Sequence, residues 1–146
     1  MAITSAICTS FKQELLVGPH NFTASSGNSF KLALYTSSAT LGAGTTAYST
    51  SNEITNSSGT AYTAAGATLT SVTPTSSGTT ALCDFADVSY TSASFTANGA
   101  LIYNDTESGD PAVCAIAFGA DKTVTSGTFT IQFPTASATD AIIRLA

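Results

Sequence analysis

The run Thr128-Phe129-Thr130-Ile131-Gln132-Phe133 alternates polar and large apolar side chains without an error. Successive side chains of a strand point to opposite faces, so this run has one wet face and one buried face only as a strand. The same period returns along the chain. Phe30, Leu32 and Leu34 alternate with Lys31 and Ala33, which predicts a half-buried strand. Ala67 and Leu69 open another run, and Ala81, Cys83 and Phe85 alternate with Leu82 and Asp84. Phe95, Ala97, Gly99, Leu101 and Tyr103 share one side of a longer run. Val113 to Phe118 is apolar on both faces and is expected in the middle of a sheet. Ala141 to Leu145 reads as a closing strand.

Turn chemistry separates these runs: Thr75-Ser76-Ser77-Gly78, the polar stretch Asn104 to Pro111, Gly119-Ala120-Asp121-Lys122-Thr123, and Pro134. Seven or eight short strands at such intervals predict an all-β chain, an antiparallel β-sandwich or jelly roll. Alternation and turn density are shared by jelly rolls and immunoglobulin-like sandwiches, so strand order stays open at this point.

One segment reads as helix. Ser10 is expected as N-cap with Gln13 completing a capping box, Phe11, Leu15 and Leu16 as one apolar face, and Gly18-Pro19 as the stop. Residues 1–10 are expected to form an arm that pairs with a neighbour's strand. Residues 37–59 are nearly free of large apolar side chains and read as a long polar surface excursion anchored by Tyr48 and Ile54. No linker divides the chain, so residues 1–146 are expected to form one domain.

Eight Phe and five Tyr, with Leu, Ile and Val, supply a core that a disordered Ser/Thr tract lacks. Charge is scarce: four Lys or Arg, nine Asp or Glu, while roughly a third of the residues are Ser or Thr. Ordinary soluble domains are about 25% charged, against 9% here, and a surface of hydroxyls and methyls suits large permanent contacts with other subunits. The cations Lys12, Lys31, Lys122 and Arg144 are dispersed, which disfavours direct nucleic-acid binding. The N-terminus has no basic region followed by a long apolar one, and no stretch approaches the length of a membrane span. Cys8, Cys83 and Cys114, an odd number at unrelated spacings, read as buried reduced thiols in a chain made in the cytoplasm. The glycosylation triplets at Asn21, Asn56 and Asn104 are expected by chance in so Thr-rich a sequence.

No catalytic, cofactor or metal motif stands out, and no site residue is assigned. His20 is the sole histidine and follows a helix stop, where a packing role is expected. A zinc site would have to gather Cys8, His20, Cys83 and Cys114 without any close ligand pair. Asp105, Glu107 and Asp110 could offer oxygen ligands to calcium, but their spacing departs from the helix–loop–helix calcium pattern, and a solvated hairpin tip is the favoured reading. Carboxylates for polymer hydrolysis would come from Asp84, Asp87, Asp105 or Glu107. Tyr48 and Tyr62 flank the excursion, either as a sugar- or surface-binding patch or, the favoured reading, as anchors of the loop.

As an ordered set, several segments resemble a known family: Cys8-Thr-Ser-Phe-Lys-Gln-Glu-Leu-Leu, Phe30-Lys-Leu-Ala-Leu-Tyr-Thr-Ser-Ser-Ala-Thr-Leu, Thr46-Ala-Tyr-Ser-Thr-Ser-Asn-Glu-Ile54, Ala65-Gly-Ala-Thr-Leu, Phe95-Thr-Ala-Asn-Gly-Ala-Leu-Ile-Tyr-Asn104 and Gly127-Thr-Phe-Thr-Ile-Gln-Phe-Pro134. The series resembles small virion structural proteins of tailed bacteriophages. That resemblance implies a phage particle component without an enzymatic site. Position 98 often carries Arg in such proteins and carries Asn here, so it is given no role. With the neutral composition, the expectation is a capsid decoration or cement protein on the virion surface, bound to the major capsid protein and to further copies of itself, a trimer among the options. The alternative is a tail, collar or fibre component, including a host-surface adhesin.

Overall fold

The computed structural model describes residues 2–55 and 61–146. The end of the expected excursion and the Asn56 triplet lie outside the described residues. Two antiparallel sheets form an all-β, sandwich-like fold with one short helix. In chain order the elements are β1 (Ala6–Ile7), α1 (Thr9–Glu14), β2 (Phe30–Tyr35), β3 (Ala67–Thr68), β4 (Ser71–Ser77), β5 (Thr80–Phe85), β6 (Val88–Asn104), β7 (Ala112–Ile131) and β8 (Ile143–Leu145). The first sheet runs β1-β7-β6-β2-β3 and the second β4-β5-β8. Phenylalanines join them: Phe30 of β2 lies 5.8 Å from Phe85 of β5, and Phe22 stacks on Phe30 at 4.3 Å. The accessible surface, 7217 Å², is close to the roughly 6,900 Å² expected of a compact chain of this mass.

β2 is buried on both faces, not half-buried: Leu32, Ala33 and Leu34 are fully enclosed. Both edges of β2 are occupied as well: β6 pairs along its whole length, and on the other side β3 pairs with its start and the excursion returns to bond Ile54 N–H to Leu34 O. The excursion is therefore packed: Ala39, Leu41 and Ile54 are core residues, and Ala47 bridges Pro111.

The strands expected as separate, over 113–118 and 128–133, are one strand, β7. The turn expected at 119–123 becomes a bulge within it. Ala117 faces Gly99 and Lys122 faces Ala97, so Phe118 to Asp121 lie opposite the single residue Asn98. Gly119 takes φ +80°, which a residue without a Cβ adopts at no steric cost, and Asn98 Nδ2 donates to Asp121 Oδ1 at 2.8 Å across the bulge. Turn-forming residues here re-aim a strand without ending it. The turn near Gly78 does close the β4–β5 hairpin, with Ser77 facing Thr80.

The helix begins elsewhere than expected. Its N-cap is Cys8, with no side-chain capping bond, and Ser10 sits inside the helix. Strand pairing decides this, because Cys8 N–H donates to Val113 O and Thr9 N–H to Ala43 O, holding Cys8 extended. Leu15 packs against the core, but Leu16 points outward at 86% exposure, because the chain tightens after Glu14 and Leu16 N–H bonds Gln13 O.

The segment expected as an arm lies along its own chain. Ala6 and Ile7 face Ala115 and Cys114 of β7, Ser5 Oγ accepts from Ala117 N–H, and Ile3 bridges Leu41 in parallel. Backbone groups expected to need a neighbour's strand are satisfied internally.

Candidate functional site

His20 is enclosed by Phe11, Phe22 and Phe30, with ring centroids 4.9, 6.3 and 6.4 Å away. Its Nε2 lies 2.6 Å from Glu14 Oε2, and its Nδ1 faces Asn104 Nδ2 at 3.1 Å. The amide orientation follows from its other bonds, since Asn104 Oδ1 accepts Thr106 N–H at 3.0 Å. Asn104 Nδ2 thus donates to Nδ1, which leaves the ring proton on Nε2 toward Glu14. Both nitrogens are engaged and the side chain has no exposed surface, so the ring cannot take a proton from a nucleophile while these bonds hold. Its place is structural: it ties the helix exit to the end of β6. Asn104 is fully buried, so its triplet is not available to a glycan.

The three cysteines are buried and free. Burial, with Glu14 adding repulsion, pushes the Cys8 thiol up to about 11. Burial, with Asp84 nearby, pushes Cys83 up to about 12, and Cys114 rises for the same leading reason. Such thiols are poor nucleophiles and poor metal ligands near neutral pH. Among the described residues no three His, Cys, Asp or Glu side chains converge as metal ligands would.

The acidic loop forms the tip between β6 and β7. Asp105 pairs with Lys31 at 3.2 Å and its N–H bonds Ser29 O, while Asp110 N–H bonds Glu107 O. Asp84 accepts its neighbour Phe85 N–H, and Asp87 accepts Phe133 N–H at 2.8 Å, tying the start of β6 to the segment after β7. The carboxylates of Asp84, Asp87 and Asp105 thus serve separate local bonds.

Tyr48 and Tyr62, expected as anchors of the loop, meet on one carboxylate, Glu53, which the sequence reading gave no role. Glu53, the single carboxylate of the excursion, accepts hydrogen bonds from Tyr48 at 2.6 Å, from Tyr62, and from Ala65 N–H at 2.8 Å. Tyr62 in turn accepts Leu34 N–H at 3.0 Å, and Tyr103 donates to Ala65 O at 2.7 Å while stacking on Tyr48. A carboxylate flanked by two tyrosines in an otherwise neutral stretch was the available signal. Tyr62 is buried and Tyr48 half-buried, so the pair fastens the excursion to the sheet.

Two surface features remain. A cleft of about 720 Å³ lies between the N-terminal segment and the excursion, lined by hydroxyls and small side chains, among them Thr4, Thr40, Thr45, Ser49, Ala39 and Ala47. Among the described residues that line it, the only ionisable group is the buried Tyr35, whose hydroxyl donates to Ser49 O. It can offer neutral hydrogen bonds and little else. Elsewhere Leu16 and Val17 are exposed at 86% and 79%, with Leu145 and Val72 exposed on the second sheet.

No family model, curated protein or solved structure matches this chain.

Proposed function

We propose that the chain is a structural component of a tailed-phage virion, a decoration or cement protein that lies on the capsid surface and stabilises the shell. The observation that carries this reading is the surface itself. Four cationic and nine acidic side chains are spread over 7217 Å², and the rest of the polar exterior is mainly Ser and Thr. A protein that lies on a lattice needs broad, nearly neutral contact and no reactive group, and particle symmetry multiplies modest contacts into firm attachment. The ordered segments that resemble small phage virion proteins support the same class.

The partners in this reading are the major capsid protein and further copies of the chain. Nucleic acid fits poorly: Lys31 is paired with Asp105, Arg144 donates to Ala138 O, and the remaining cations are single. No helix among the described residues is long and apolar enough to cross a membrane.

Co-sedimentation with purified expanded capsids lacking the protein tests the proposal. The expected result is saturable binding in fixed ratio to the shell subunits, with greater heat resistance of the shell. Absence of binding would overturn the shell assignment and move the protein to the tail, collar or fibre.

A further inference from the structure

Asn104 is a junction between three segments. Its Nδ2 has three acceptors in reach, His20 Nδ1 at 3.1 Å, Asn28 Oδ1 at 3.3 Å and Pro19 O at 3.5 Å, while its Oδ1 accepts Thr106 N–H. Asn28 Oδ1 also accepts Asn21 N–H at 2.6 Å, so one buried amide joins the helix exit, the loop over residues 21–28 and the hairpin tip. The bond to His20 requires a lone pair on Nδ1. A second proton on the ring can go only there, because Nε2 already holds one toward Glu14. Nδ1–H would then meet the Asn104 NH₂, donor against donor. Rotating the amide cures that clash but turns its NH₂ toward Thr106 N–H and sets Oδ1 against Asn28 Oδ1 and Pro19 O. The ring has no exposed surface, so water cannot take the place of Asn104 while the tip stays where it is.

We propose that His20 is an acid-sensitive latch: a second proton on its ring undoes the Asn104 junction and releases the hairpin tip from the helix exit. Charge around the ring is sparse. Glu14 on α1 favours the second proton, and among the described residues it alone pairs with the ring. Lys12 lies on the same helix, whose N-cap is Cys8, a neutral thiol; residues 21–28 carry no titratable side chain. On β2, Lys31 is occupied by Asp105, and on β6 the Tyr103 hydroxyl donates to Ala65 O. Beyond Phe22 and Phe30, β5 brings the neutral Cys83 thiol and Asp84, which accepts Phe85 N–H. One carboxylate thus draws the proton in and one amide excludes it. Asp105 N–H to Ser29 O and Ser29 N–H to Thr106 Oγ1 still hold the tip to the start of β2, so the change is local and not unfolding.

The latch does not depend on the virion reading, and each can fail without the other. Nuclear magnetic resonance of the full chain from about pH 8 to about pH 4.5 tests it, and a sole histidine makes the ring signals unambiguous. The expected result is that Nδ1 protonation and the shifts of the Asn28 and Thr106 amides share one midpoint. Thr106 N–H, having lost its acceptor, should exchange with solvent about tenfold faster after correction for the intrinsic effect of pH. Glu14→Gln keeps an acceptor for Nε2–H but removes the charge, and is expected to move ring and tip transitions together to lower pH. A tip response that came from Asp105, Glu107 or Asp110 alone would stay in place. Tip signals indifferent to ring protonation, a tip transition unmoved by Glu14→Gln, or a ring that stays neutral until the whole chain unfolds would overturn the proposal.

Discussion

Tyr62 donates its hydroxyl to Glu53 and accepts the amide of Leu34, so one phenol joins the excursion to the most deeply buried strand. Glu53 gathers Tyr48 and Ala65 N–H as well, adding a side-chain fastening to the backbone bonds and buried residues that already hold the excursion on the sheet.

Removing that carboxylate should be costly. Glu53→Ala leaves two phenols and an amide without their acceptor, and is expected to lower stability by about 2–4 kcal/mol in urea denaturation. Glu53→Gln, which retains one carbonyl acceptor, should lose less. Equal losses would show that the acceptor geometry is not what matters.

Alkaline pH should act through the tyrosines. Burial pushes Tyr35 and Tyr90 up to about 12, and raises Tyr48, Tyr62 and Tyr103 as well. Their folded values lie above the ordinary value of 10, so the unfolded chain ionises first. The stability they confer is complete below about pH 10 and drains away as pH climbs toward 12. Tyrosinate absorbance is therefore expected to rise together with loss of circular dichroism. Ionisation well below the unfolding transition would contradict the enclosure of these rings.

Gly66 has φ +86°, and a Cβ there would run into the Leu32 carbonyl oxygen. Gly66→Ala is expected to cost about 3 kcal/mol or more, combining backbone strain with displacement of a core strand. Gly109, also at φ +86° but with open space around it, should lose far less on the same substitution, and thermal unfolding of the two variants decides the comparison.

The thiols should be silent in the folded protein. Cys8, Cys83 and Cys114 are expected to react with a disulfide reagent only at the rate of unfolding, and all three together once denaturant is added. A fast fraction in native buffer would place at least one of them nearer the surface than its burial indicates.

Much of this fold can be read before folding. Alternation at Phe30 to Leu34, Ala81 to Phe85, and Thr128 to Phe133 marks strands because period-2 burial is a local property of extended backbone. The Ser77–Thr80 turn and the stop at Gly18 were equally legible, since a glycine at positive φ is a local requirement. Composition, too, announced a sparsely charged chain with aromatic residues for a core.

What needed the tertiary structure was everything set by a distant partner. Whether Gly119 ends a strand or bulges it depends on Asn98 and Lys122 finding their places across the ladder. Cys8 caps the helix because Val113 and Ala43 hold the backbone before it, and Leu16 faces water because the last turn tightens. Asn104 and His20 acquire their roles only when segments far apart in sequence meet. Alternation and turn residues act within a few positions and survive in the bare sequence. Hydrogen bonds and burial that join residues dozens of positions apart do not, because their energy exists only once the chain has closed on itself.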